Sequence, residues 1–143
     1  MPQTLREVMS KNVISCSPNQ TLKEAAQLMS QHNIGSLPVI ESGKLLGMIT
    51  DRDITLRSAA KGKDDDQTSV AECMTSNSLV SGTPDMDVHE AARLMSEKQI
   101  RRLPVIDNNQ VIGIVSLGDL ATEDRYQNEA GEALSGISMS NSR

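Results

Sequence analysis

Residues 34–53, IGSLPVIESGKLLGMITDRD, return 66 positions later as residues 100–119, IRRLPVIDNNQVIGIVSLGD. Each copy holds a Leu-Pro-Val-Ile run, a polar turn, and an apolar run containing one glycine, Gly47 or Gly113. Each then sets a hydroxyl residue three positions before an aspartate: Thr50 with Asp53, and Ser116 with Asp119. Upstream, Pro18, Glu24, Ala25, Ala26, Leu28, Met29 and Ser30 recur at the same offset. Self-similarity of this extent means that one supersecondary unit is used twice, each copy too small to bury its own faces.

The local signals follow one order in both copies. Residues 4–10 suit a single helical turn, and residues 13–16 form a short β-prone run closed by Ser17-Pro18-Asn19. Thr21 and Glu24 match a capping box, in which each side chain satisfies an unpaired N–H of the first helical turn. Leu22, Ala25, Ala26, Leu28 and Met29 give a stripe at helical spacing, ending near His32 and Asn33. Residues 36–40 and 45–49 then predict a hairpin turned at Ser42-Gly43. Pro38 cannot donate to a ladder, so its strand should be an edge or irregular there. Gly47 marks a place where a backbone or a ligand comes close. Thr50 or Asp51 caps a second helix reaching about residue 60.

Residues 62–69, GKDDDQTS, predict a solvated linker, and the order then repeats. Residues 70–74 mirror residues 5–9, Leu79-Val80 mirrors the first strand, and Asp87 with Glu90 replaces the first cap. Residues 103–106 and 111–115 form the second hairpin, turned at Asn108-Asn109, before a shorter closing helix from Leu117. The expected fold class is α/β (α+β): two β-α-β-β-α repeats, residues 5–61 and 70–123, packed about a pseudo-twofold axis. Residues 124–143 are expected to form a flexible tail.

Composition narrows the function. The net charge of −5 argues against a general nucleic-acid surface but leaves room for a local anion site. Tyr126 is the one aromatic residue, so a planar ligand would have to lie between aliphatic side chains rather than on stacking platforms. Cys16 and Cys73 make no CxxC pair and are expected as free thiols in a reducing compartment. No signal peptide and no membrane-length apolar run is visible, so a cytoplasmic protein is the expectation. His32 and His89 lack a second ligand at metal spacing, and no metal or resident cofactor is expected. The acidic run Asp64-Asp65-Asp66 reads as solvated linker rather than a cation site.

The VMSKNV and CMTSNSLV openings, the paired LPVI runs, and the GMITDRD and GIVSLGD segments together resemble a tandem pair of CBS domains, the module named after cystathionine β-synthase. The resemblance covers about residues 5–123 and implies two related clefts, often occupied by adenine nucleotides or adenosyl compounds. It implies that Thr50 and Asp53 serve one cleft, and Ser116 and Asp119 the other. Backbone around Ser15 and Pro18, and around Val80, Thr83 and Pro84, would contact the base. Ile34 and Pro38, and Ile100 and Pro104, would line the walls. Arg102, directly before its LPV run, stands where nucleotide-sensing members often contact phosphate, with Arg101 and Arg52 as assistants. The first repeat has Gly35-Ser36 there, so the two clefts should be unequal.

The chemistry suits these residue types. A carboxylate accepts from both ribose hydroxyls, and the charge strengthens the bonds. A hydroxyl at a helix start stands beside unpaired N–H groups that favour phosphate. Arginine grips phosphate with two parallel donors. The same Ser/Thr–Asp pairs also serve as plain helix caps, and both roles can coexist. The sequence thus points to a non-catalytic regulatory module sensing AMP, ADP or ATP, expected to pair as a homodimer and to signal to an unknown downstream protein. The alternatives are a dimerising scaffold with weak or empty clefts, a sensor of S-adenosylmethionine or NAD, and a metal-dependent phosphohydrolase using the aspartates.

Overall fold

Helix α2 (Leu22–His32) begins at the box read from the sequence: Thr21 Oγ1 accepts from Glu24 N–H (3.2 Å), and Glu24 Oε1 accepts from Thr21 N–H (2.9 Å). It ends at Asn33 in the left-handed region, which asparagine tolerates. In this computed structural model, which describes residues 3–121, the helix buries Leu22, Ala25 and Met29. Its counterpart α5 (Val88–Lys98) buries Val88, Ala91, Ala92 and Met95. The expected Asp87–Glu90 box is replaced by a simpler cap, because the short Asp87 carboxylate accepts from His89 N–H (2.9 Å), one residue nearer than a box requires. The expected tail, residues 124–143, lies outside the described residues.

Each repeat supplies one antiparallel hairpin, β1 (Ser36–Glu41) with β2 (Lys44–Thr50), and β3 (Arg102–Asp107) with β4 (Gln110–Ser116). Short helices α3 (Asp51–Arg57) and α6 (Leu117–Ala121) follow directly. The expected run of α3 to residue 60 breaks at Ser58 and continues as a 3-10 turn, Ala59–Lys61. Leu37, Val39 and Ile49 point into one core with Leu22, Ala25 and Ile54, and Leu103, Val105 and Val115 into another with Val88, Ala91 and Leu120.

The expected first strand of each repeat is reduced to one rung. Cys16 N–H donates to the Pro38 carbonyl (3.1 Å) and Ile40 N–H to the Cys16 carbonyl (2.9 Å), a single parallel bridge to β1. Gly82 makes the same two bonds with Pro104 and Ile106, both 2.9 Å. The next rungs on either side would need amide hydrogens from Pro38 and Pro18, or from Pro104 and Pro84, and proline has none. Pro38 costs the hairpin nothing. Its cross-strand partner Met48 turns its own N–H and carbonyl outward, to Thr75.

That outward pairing brings in a third chain. Met48 and Thr75 exchange two backbone bonds (2.9 and 2.8 Å), as do Ile114 and Ser10 (2.9 and 2.8 Å). A Cβ on Gly47 would lie 2.7 Å from the Thr75 carbonyl oxygen, so the close neighbour expected at this glycine is backbone. Preceding each crossing chain is a four-residue helix, α1 (Leu5–Val8) or α4 (Val70–Cys73), too short to persist alone. Loop carbonyls hold their first N–H groups: Met86 and Pro84 accept from Leu5 and Arg6 (both 3.0 Å), and Gln20 and Pro18 from Val70 and Ala71 (2.8 and 3.0 Å).

The chain accordingly forms two compact units that are offset from the sequence repeats. Among the described residues, 14–79 make one, and 3–13 with 80–121 make the other. Residues 62–69 are mostly exposed, as expected of a linker, yet they are pinned to the first of these units. Ser58 Oγ donates to Asp65 Oδ1 (2.6 Å), Lys23 pairs with Asp66 (3.3 Å), and Leu22 N–H donates to the Thr68 carbonyl (3.0 Å).

Gly47→Ala should cost about 1–3 kcal/mol, the range for overpacking a filled site, because its new Cβ meets a fixed carbonyl. Gly113→Ala should cost less, since the nearest atom, Met9 Sδ at 2.5 Å, can swing away. Gly118→Ala, whose Cβ would meet Ser116 Oγ at an ordinary contact distance of 3.5 Å inside a helix, should be neutral or stabilising. Urea titrations of the three variants check the order, and equal losses at positions 47 and 118 would refute the packing account.

Burial pushes the Cys16 thiol up to about 11 and raises that of Cys73 as well. A folded value above the unfolded one means that this stabilising bias is complete below about pH 9 and is lost as pH rises toward 11. At pH 8, iodoacetamide should label native Cys16 about a hundredfold more slowly than the unfolded chain, the ratio of thiolate fractions. Equal rates would show that the segment around Cys16 opens freely.

Candidate functional site

The strand-to-helix junction of each unit gathers polar residues at what we term the hairpin mouth. Ser36 lies opposite Thr50 across the first hairpin, and Arg102 lies opposite Ser116 across the second. Both Ser/Thr–Asp pairs are closed capping boxes. Thr50 Oγ1 accepts from Asp53 N–H (2.9 Å) while Asp53 Oδ2 accepts from Thr50 N–H (3.0 Å). Ser116 Oγ accepts from Asp119 N–H (3.1 Å) while Asp119 Oδ2 accepts from Ser116 N–H (3.0 Å). The capping role read from the sequence is therefore real in both copies. Each carboxylate turns one oxygen to the helix start, and Asp53 presents Oδ1 to Arg57 Nε at 3.7 Å.

Around these boxes the expected ligand residues sort by unit. Ser15, Pro18, Ile34, Pro38, Thr50, Arg52 and Asp53 fall in the unit of residues 14–79, and Val80, Thr83, Pro84, Ile100, Arg101, Arg102, Pro104, Ser116 and Asp119 in the other. Continuing the Cys16–Val39 register sets Ser15 abreast of Pro38 at the mouth end of β1, and the Gly82–Val105 register sets Val80 abreast of Leu103. Ile34 and Ile100 are half-buried against their own cores. Four residues stand deeper than a contact surface would. Pro18, Pro38, Pro84 and Pro104 are buried, and their carbonyls already accept from Ala71, Cys16, Arg6 and Gly82. Thr83 is exposed.

The arginines differ in setting. Arg102 is half-buried, whereas Arg101 and Arg52 are exposed, and among the described residues none of the three forms an ion pair. Arg57, absent from the sequence-level site, is the better-anchored cation. It pairs with Asp53 and donates from Nη1 to the Cys73 and Met74 carbonyls, both at 3.3 Å. Its i,i+4 spacing from Asp53 was the available signal. The two mouths also differ at a residue the sequence reading treated only as a cap. Asp51 is exposed at the first, whereas Leu117 holds the equivalent place in the second and is buried.

A surface depression of about 590 Å³ lies over α2, lined by Gln20, Glu24, Gln27, Leu28, Ser30 and Gln31. None of these belongs to a mouth, and one helix supplies nearly all of them, so convergent polar chemistry favours the mouths instead. Among the described residues no group of three or more His, Cys, Asp or Glu side chains could hold a metal, and no helix is long and apolar enough to cross a membrane.

Comparison with known proteins identifies the family. The chain is 51% identical over 138 residues to the CBS domain-containing protein YhcV of Bacillus subtilis, covering 96% of this chain and 97% of that protein. It is 35% identical over 119 residues to Hypoxic response protein 1 of Mycobacterium tuberculosis, covering 82% of each. The crystal structure of Hypoxic Response Protein I with two coordinated zinc ions matches at a TM-score of 0.77 with 34% identity, over 85% of this chain and 98% of that one. The CBS domain pair of protein MJ0100, in complex with 5′-methylthioadenosine and S-adenosyl-L-methionine, matches at 0.74 with 31% identity, over 89% of this chain and 99% of that one. The CBS domain model matches twice, at residues 5–59 and 70–125. The chain therefore belongs to the CBS-domain family and carries two copies of the domain.

Proposed function

We propose that this CBS pair is a regulatory sensor of an adenine nucleotide, AMP, ADP or ATP, and that it works by binding without chemistry. The observation that carries the reading is the register of the second hairpin, which sets Arg102 directly opposite Ser116 and its Asp119 box. A guanidinium, a hydroxyl and a carboxylate at one hairpin mouth are the groups that phosphate and ribose require. The complex of MJ0100 with two adenosyl compounds supports an adenosyl class of ligand, and S-adenosylmethionine or NAD is the alternative within that class. Occupancy would be passed on as a change in shape or assembly to a downstream protein, with the chain acting as a homodimer in the cytoplasm.

One observation favours a second reading, a scaffold whose mouths stay empty. The hydroxyl and one carboxylate oxygen of each box are already engaged by the helix they cap. A ligand would have to share those atoms, or at the first mouth the Asp53 Oδ1 that already faces Arg57. Thermal unfolding with AMP, ADP, ATP, S-adenosylmethionine and NAD, with and without magnesium, separates the two. A ligand at a hundred times its dissociation constant should add about 2.7 kcal/mol of stability. No shift with any of them at millimolar concentration would favour the scaffold, and ATP turnover lost in Asp53→Ala would revive an enzyme.

Arg102→Ala should weaken AMP by at least about tenfold, the scale of a charged hydrogen bond, and leave adenosine within about twofold. Titration calorimetry with both ligands checks this. Equal losses would mean that Arg102 acts through the fold rather than on phosphate.

A further inference from the structure

We infer that Asp51 sets the charge preference of the first-repeat mouth, excluding phosphate from it, so that a phosphorylated ligand binds once per chain, at the Arg102 mouth. The inference rests on the reading of the mouths as ligand sites given above.

The two mouths share backbone geometry and differ in charge. Asp51 N–H donates to the Gly35 carbonyl, and Leu117 N–H to the Arg101 carbonyl, each at 3.0 Å. The same backbone bond thus ties the helix start to the residue entering the hairpin in both units. At the first mouth the four tied positions are Gly35, Ser36, Thr50 and Asp51, which carry one carboxylate. At the second they are Arg101, Arg102, Ser116 and Leu117, which carry two guanidinium groups.

The exposed Asp51 carboxylate lies beside Gly35 at the entrance. A Cβ on Gly35 would lie 3.3 Å from Asp51 Oδ2 and 3.6 Å from its Cγ. The carboxylate therefore covers the position from which Arg101 projects in the other copy. Gly35 shows no left-handed φ, so the space that the carboxylate takes, rather than backbone strain, is what a side chain there would meet.

Neighbouring cations do not cancel this charge. Arg57 is engaged with Asp53 and the Cys73 and Met74 carbonyls. Arg52 follows Asp51 directly, and adjacent helical residues do not face one another. It forms no ion pair among the described residues. The box carboxylates Asp53 and Asp119 are common to both mouths, so the difference lies in the tied positions: an approaching phosphate meets an added like charge at one mouth and two opposite charges at the other. A nucleoside without phosphate meets no such penalty at either. The first mouth is suited to a neutral or cationic nucleoside-like ligand, and the second to its phosphorylated counterpart.

The test uses the full chain, AMP and adenosine as probes, and titration calorimetry. The wild type should bind one AMP per chain in the measurable range. Asp51→Asn, which keeps the side chain's shape, should tighten AMP at a second site by about tenfold, the size of a repulsion between one and two charges several ångströms apart in a water-like medium. Adenosine affinity should stay within about twofold. Asp51→Asn with Arg102→Ala should retain only that second site, which assigns it to the first mouth. In the wild type, raising salt from 50 to 300 mM should weaken the AMP site at Arg102 and relieve the exclusion at Asp51, because screening acts on attraction and repulsion alike. Two equal AMP sites in the wild type, or AMP binding unchanged by Asp51→Asn in a variant that still unfolds at the wild-type midpoint, would overturn the inference alone. No AMP binding in any variant would overturn the nucleotide reading, and this inference with it.

Discussion

Each hairpin of this protein depends on a third chain that it does not itself contain. The outward-facing N–H and carbonyl of Met48 pair with Thr75, and those of Ile114 pair with Ser10. Left unpaired beside an apolar core, each such group would cost about 1–3 kcal/mol. The crossing chain satisfies them and brings a buried side chain with it, Cys73 on one side and Leu5 on the other. A glycine stands at each crossing because the incoming backbone or methionine occupies the space a Cβ would need. Helix docking, core closure and the offset between sequence repeats and compact units all follow from that pairing.

The prolines set the other limit. Four of them stand at equivalent places, and together they stop the parallel pairing beside each hairpin after one rung. Pro18 and Pro84 then use their carbonyls to hold the first turn of α4 and α1. A residue that removes a donor from one element thus supplies an acceptor to another. The chain that enters the truncated bridge runs abreast of the mouth end of the hairpin without extending its sheet, leaving that end to side chains rather than to a further strand.

The mouths show how a duplicated scaffold diverges. Their capping boxes are the same in both copies to within about 0.2 Å, since a box is a local requirement of the helix that follows. The charged residues around the boxes carry no such duty and are free to differ. Asp51 sits exposed where Leu117 is buried, and Gly35 is bare where Arg101 projects. Stability thus resides in what the copies share, and the difference in charge between the mouths in what they do not.

Much of this was legible in the sequence. The 66-residue offset, the Thr21–Glu24 box, the hairpins and the Ser/Thr–Asp pairs are local patterns, fixed by neighbours within a few positions. The arginine asymmetry was equally visible, because it needs only alignment of one copy with the other. What the sequence left open was which hairpin each short helix joins. LREVMS and VAECMT are near-equivalent amphipathic turns, and either would fit the glycine notch of either copy. The tertiary structure decided it by placing α1 with residues 80–121 and α4 with residues 14–61. It also reduced the expected first strands to single rungs, since amide hydrogens missing from two separated prolines matter only once they face the same ladder. The crossing carbonyl at Gly47 and the carboxylate over Gly35 were decided there too, because both are contacts through space that no sequence spacing records.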